Sequence, residues 1–195
     1  WSDGQRWSSH DVVYTLQMLK ENAPELLYST DVATWVDSVA APDSSTVVVH
    51  LSAPNPRFLF TYLTGDFGLG LPIVPRHVWE GTDPGTFSNF DLARGWPVVS
   101  GPYRLAASTP EQRIWDVRDD WWAARSGFQR KPEVQRLIYL PYMDETKRVQ
   151  NLIANNMDTS LDLRPPNIRS VVERNPNVTT WSGRMPPFGY LDFWP

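Results

Sequence analysis

Three histidines, His10, His50 and His77, are the side chains best suited to acid–base or metal chemistry near neutral pH. None stands at metal-ligand spacing from another, and no His-Glu-x-x-His pattern occurs. No Gly-x-Ser-x-Gly elbow supplies a serine nucleophile. Gly65, Gly68 and Gly70 form G-x-x-G-x-G, the wrong order for a dinucleotide loop, with no strand before them and no helix start after them. Asp119 and Asp120 are adjacent, so on an extended chain they point apart, and they read as a solvated turn rather than an acid/base pair. Asn177-Val178-Thr179 matches a glycosylation sequon, a pattern short enough to arise by chance. The absence of cysteine excludes thiol catalysis, disulfides and thiolate metal sites. No catalytic residue, metal or cofactor is expected, and the chain does not read as an enzyme.

What remains is aromatic. Ten Trp in 195 residues is a high density, and a flat indole face stacks on sugar rings and peptide planes as readily as it fills a core. Packing is the expected role of most of these rings, and a ligand surface that of a minority.

The elements that would position such a surface follow from pattern. Ser8 stands three residues before Asp11, a capping box, and Val12, Val13, Leu16 and Leu19 then recur at helical spacing up to Asn22. Residues 34–41 and 45–51 bracket Pro42-Asp43-Ser44, and the β-branched run at 46–49 predicts a hairpin. Short helices are expected within 55–63 and 75–79, the latter opened by a proline. The Gly-, Pro- and Asp-rich stretch 80–97 is expected to be a long loop. Strands are predicted at 102–107, 113–117 and 137–140, with an irregular stretch at 119–133 anchored by Trp121 and Trp122. A helix over 144–155, a strand over 159–163, a helix over 166–173 and extended segments at 178–181 and 188–193 complete a mixed α/β (α+β) chain. The 18 prolines suit such a loop-rich fold better than a helical bundle. The net charge of −4 and the lack of any basic run give no footprint for nucleic acid. No apolar run reaches the roughly 18 residues that cross a bilayer, and the first residues do not have the form of a signal peptide.

Six segments, in order, resemble the family 5 extracellular solute-binding proteins. They are Trp1-Ser2-Asp3-Gly4 with Ser8 to Tyr14; Pro42-Asp43 with Thr46-Val47-Val48; and Ile73-Val74-Pro75-Arg76-His77. The others are Pro97 to Leu105, Arg118-Asp119-Asp120-Trp121-Trp122, and the helix from Asp144 to Asp158. Val99-Ser100 and Asn156-Met157-Asp158 depart in detail from the family pattern, and neither departure touches a group that would do chemistry.

The resemblance implies part of a class II, periplasmic-binding-protein-like lobe, with residues 1–106 forming a small subdomain and residues 107–195 a segment of the main lobe. It implies that both ends are cut from a longer two-lobed chain. It also implies a monomer held outside the cytoplasmic membrane, in the periplasm or lipid-anchored at the surface, that captures a small peptide or oligosaccharide for an ABC permease. Peptide and β-linked oligosaccharide stand side by side as ligands. A secreted carbohydrate-binding or structural module with no transporter is the alternative. On the same footing the expected ligand-contacting residues are Trp35, Trp96, Trp181, Tyr190 and Asp192: Trp96 precedes the crossover between lobes, and Tyr190 and Asp192 lie on the strand nearest the hinge.

Overall fold

The computed structural model describes residues 1–64, 70–160 and 163–180. Two compact units make it up, Trp1–Leu140 and Pro141–Pro195.

The first unit is built on α1 (Ser9–Glu21). Ser8 caps it as the sequence predicts: its hydroxyl accepts from the helix backbone, while Asp11 Oδ2 accepts from Ser8 N at 2.8 Å. One face of α1 buries Val12, Leu16, Met18 and Leu19 against Val32, Val36, Phe58, Tyr62 and Leu71. Leu16 is fully inaccessible, and burying a side chain of this size is worth about 1.5–3 kcal/mol. A helix not foreseen from the sequence, α2 (Ser29–Trp35), carries Val32 into that core and runs straight into β1 (Val36–Asp43). Its β-branched residues are weak helix formers, so tertiary burial of Val32 outweighs local preference.

β1 pairs antiparallel with β2 (Thr46–Leu51), giving the predicted hairpin. Its turn is tied back to α1 by Ser9, whose hydroxyl donates to Asp43 O and whose amide donates to Ser44 O. Residues Leu59–Leu63 form a single wide π-helical turn, and Arg76–Trp79 form α3 behind Pro75. The loop expected over 80–97 contains one 3-10 turn, Leu92–Arg94, capped by Asp91.

Three antiparallel strands follow: β3 (Tyr103–Ser108), β4 (Arg113–Val117) and β5 (Arg136–Tyr139), in the order β3-β4-β5. Between β4 and β5 the stretch expected to be irregular holds a single helical turn, α4 (Trp122–Arg125).

In the second unit α5 (Glu145–Ile153) is capped by Asp144, whose side chain accepts from Lys147 N at 2.8 Å. It packs against α6 (Pro165–Arg174), with Leu152 and Val171 buried. Asn175, itself buried, donates from Nδ2 to Leu152 O at 2.7 Å and closes the pair. The strand expected over 159–163 is not formed at 159, 160 or 163, because among the described residues of this unit no strand lies beside it to complete a ladder. Residues 161–162 lie outside the described residues. Residues 178–180 form neither strand nor helix, and residue 181 and the segment 188–193 lie outside the described residues.

Candidate functional site

Segments far apart in sequence converge on one buried cation. Arg118, at the end of β4, keeps only 4% of its side chain exposed, and a guanidinium so placed must spend its donors on fixed acceptors. Nη1 donates to Val99 O at 3.3 Å and Gly101 O at 3.0 Å, and Nη2 reaches Trp1 O at 3.5 Å. Nε and Nη2 engage the two carboxylate oxygens of Asp120 at 3.1 and 3.4 Å. The hydrogen bond from Arg118 is the main reason the Asp120 carboxyl titrates below its ordinary value.

The carbonyl of Ser100, between the two acceptors of Arg118, takes both neighbouring indoles. Trp121 Nε1 donates to it at 3.1 Å and Trp122 Nε1 at 3.0 Å. On the far side, Val99 N donates to Ser2 Oγ at 3.0 Å. Residues 1–2, 99–101 and 118–122 are thus fastened together.

Two further ties hold the frame. Asp3 Oδ2 and His77 Nε2 are 2.6 Å apart, joining the N-terminal turn to α3. Burial acts to raise the Asp3 carboxyl, but the hydrogen bonds from His77 and Gln5 and the charge of His77 outweigh it and leave the group lowered. Asp11, besides capping α1, accepts from Arg76 N through Oδ1 at 2.9 Å, and Thr15 Oγ1 accepts from Val74 N at 3.1 Å.

The predicted ligand residues fall in different places. Trp96 is half-buried at the end of an edge-to-face row, its ring 5.5 Å from Phe87, which lies 4.9 Å from Trp79. Arg94 lies over the Trp96 ring, with Cζ 5.2 Å from its centre. Trp35 ends α2 and packs on the α1 core. Tyr62 donates to Asp31 Oδ1 at 3.0 Å, and burial first, then this acceptor, raise its hydroxyl pKa. Among the described residues no ring contact joins Trp35 to Trp96. Trp181, Tyr190 and Asp192 lie outside the described residues.

A groove of about 250 Å³ runs between α1 and β1, lined by Leu16, Gln17, Lys20 and residues 36–39. Lys20 spans its rim, donating to Val36 O at 2.8 Å and Asp37 O at 2.6 Å. His10 and His50 are exposed, on α1 and β2. Arg118 is the member of this site that sequence reasoning passed over. The signal available was a single cation beside two tryptophans at a strand end, where a long charged side chain has little solvent to reach.

The model for "Bacterial extracellular solute-binding proteins, family 5 Middle" matches residues 1–195. The Probable peptide-binding protein YejA of Agrobacterium fabrum is 33% identical over 129 residues, covering 63% of this chain and 19% of its own. An oligopeptide ABC transporter periplasmic oligopeptide-binding protein from Thermotoga maritima shares the fold with a TM-score of 0.71 at 23% identity, over 94% of this chain and 32% of its own. Its mannohexaose-bound structure aligns with a TM-score of 0.68 at 25% identity, over 89% of this chain and 30% of its own. The chain therefore spans about a fifth of the curated relative and about a third of the solved structures.

Proposed function

This chain belongs to the bacterial extracellular solute-binding proteins of family 5, and from that premise we propose that it forms part of the ligand-capturing component of an ABC importer. The observation that carries this reading is the family match along all 195 residues. The component works outside the cytoplasmic membrane as a monomer and hands its solute to a membrane permease. Among the described residues no helix is long and apolar enough to cross a membrane. Within the importer component, residues 1–106 form the small subdomain and residues 107–195 part of the main lobe. Opening and closing of the lobes over the solute is driven by contacts available only in the closed form.

Oligopeptide is the first solute class, supported by the peptide-binding name of the Agrobacterium relative and the oligopeptide-binding name of the Thermotoga protein. Oligosaccharide is the second, favoured by the mannohexaose bound to that Thermotoga protein and by the ten tryptophans here. Trp35, Trp96, Trp181, Tyr190 and Asp192 are the residues assigned to ligand contact. Trp96 is the best placed of the two that are described, because its half-exposed ring is already oriented by Phe87 and Arg94.

A thermal-shift screen of di- to pentapeptides against cello-oligosaccharides and mannohexaose tests the reading. A true ligand at a hundred times its Kd stabilises by about 2.7 kcal/mol, a shift of several degrees. Stabilisation by neither series sinks both solute classes.

A further inference from the structure

The segment between β4 and β5 presents two rings to solvent in a fixed arrangement. Trp122 is 52% exposed and Phe128 76% exposed, and they stack with centroids 5.6 Å apart and planes 25° from parallel. Large aromatic side chains this open are held in place here. The Trp122 indole is fixed by its hydrogen bond to Ser100 O and flanked by the buried Trp121 ring, 6.3 Å away. Gly127, at φ +74, turns the chain so that Phe128 comes back onto Trp122, and Gln129 N donates to Ala123 O at 3.1 Å to lock the turn.

The charges of the segment are divided unevenly. Two of its three carboxylates are engaged, Asp119 by Lys131 and Asp120 by Arg118, while Glu133 is exposed and makes no ion pair among the described residues. Arg125 and Arg130 are exposed, and neither makes an ion pair among the described residues. Rigid aromatic rings with unpaired guanidiniums on the same short segment match the composition of protein-interface hot spots. An anionic lipid surface fits less well, since such surfaces are engaged by clusters of four to eight basic residues, and the net charge of −4 opposes approach.

We infer that Trp122 and Phe128, with Arg125 and Arg130 beside them in sequence, dock on an acidic, partly apolar patch of a protein partner, the extracytoplasmic face of the membrane permease. The inference rests on the importer reading above.

The test measures the Kd of the whole protein for its permease embedded in nanodiscs, at low and physiological salt, for wild type, W122A/F128A and R125E/R130E. Thermal unfolding of each variant is followed in parallel. The expected result is a Kd raised about tenfold or more by W122A/F128A with the unfolding midpoint held. R125E/R130E weakens binding and flattens its salt dependence. Both Kd values within about twofold of wild type overturn the docking face alone, and wild type failing to bind the permease overturns the importer reading with it. Two other results also overturn the inference: a midpoint that falls sharply in W122A/F128A, which places the rings under another part of the protein, and wild-type binding to permease-free phosphatidylglycerol vesicles that is lost in R125E/R130E, which assigns the face to the membrane.

Discussion

Replacing Arg118 by methionine removes the buried cation while keeping most of the unbranched stem, so the loss is electrostatic rather than a cavity. Two well-placed charged hydrogen bonds, to Val99 O and Gly101 O, disappear, and each bond of this kind contributes about 1.5–3 kcal/mol. The longer reach to Trp1 O adds little. Asp120 keeps 60% of its side chain in solvent, so its half of the ion pair is screened and contributes about 0–1 kcal/mol. The expected cost of Arg118→Met is therefore about 3–7 kcal/mol, and that of Asp120→Asn below about 1 kcal/mol. Urea denaturation of wild type and both variants, followed by tryptophan fluorescence, gives the two differences from the midpoints and slopes. Equal losses would show that the ion pair, and not the main-chain acceptors, holds the junction. A loss below about 1 kcal/mol for Arg118→Met would mean that residues 1, 99 and 101 need no clasp.

Two other perturbations have signs fixed by the structure. Leu16→Ala in the fully buried face of α1 should cost about 2–5 kcal/mol in the same denaturation experiment, whereas Leu27→Ala, at a side chain 77% exposed, should stay within about 0.5 kcal/mol; similar costs for both would displace the core from α1. Asp3 has a folded-state pKa below its ordinary 3.8, so its tie to His77 stabilises the fold above that value and fades as pH falls through the lower folded one. The stability gap between wild type and Asp3→Asn should accordingly be full at pH 6 and close as the pH drops below about 3.8, and a gap of constant size down to the acid limit would refute the assignment.

The framework was legible wherever one segment carried its own reason for being there. Ser8, Asp11 and the spacing of Val12, Leu16 and Leu19 specify α1 locally, and Pro42-Asp43 between β-branched runs specifies the hairpin. α2 was hidden because nothing local favours a helix at Ser29–Trp35; it exists because Val32 finds a place in the core. At 159, 160 and 163 the expected strand is not formed for the complementary reason, since a strand is completed only by a neighbour and the described residues of this unit offer helices. The clasp was the least legible feature. Its acceptors are the carbonyls of Val99, Ser100 and Gly101, groups that every residue carries, so no side-chain pattern announces them. Of the residues expected at the ligand, Trp96 and Trp35 are placed in separate settings, a division that depends on contacts with Phe87 and with the α1 core and not on spacing.

The residues that make this chain recognisable are the same ones whose polar groups the fold has used up. Asp11 serves Ser8 and Arg76, Asp3 serves His77, Arg118 serves two carbonyls and a carboxylate, and Trp121 serves Ser100. A group committed to a short internal hydrogen bond must break it before it can address a solute, at about the net worth of the bond lost. On the function proposed above, ligand choice falls to groups that keep a free face, while the ties around Arg118 and α1 hold the frame. Among the described candidates Trp96 lies against Phe87 and under Arg94, outside the α1 core, whereas Trp35 packs on that core. Solute specificity should respond to substitution at Trp96 before it responds to any of the ties.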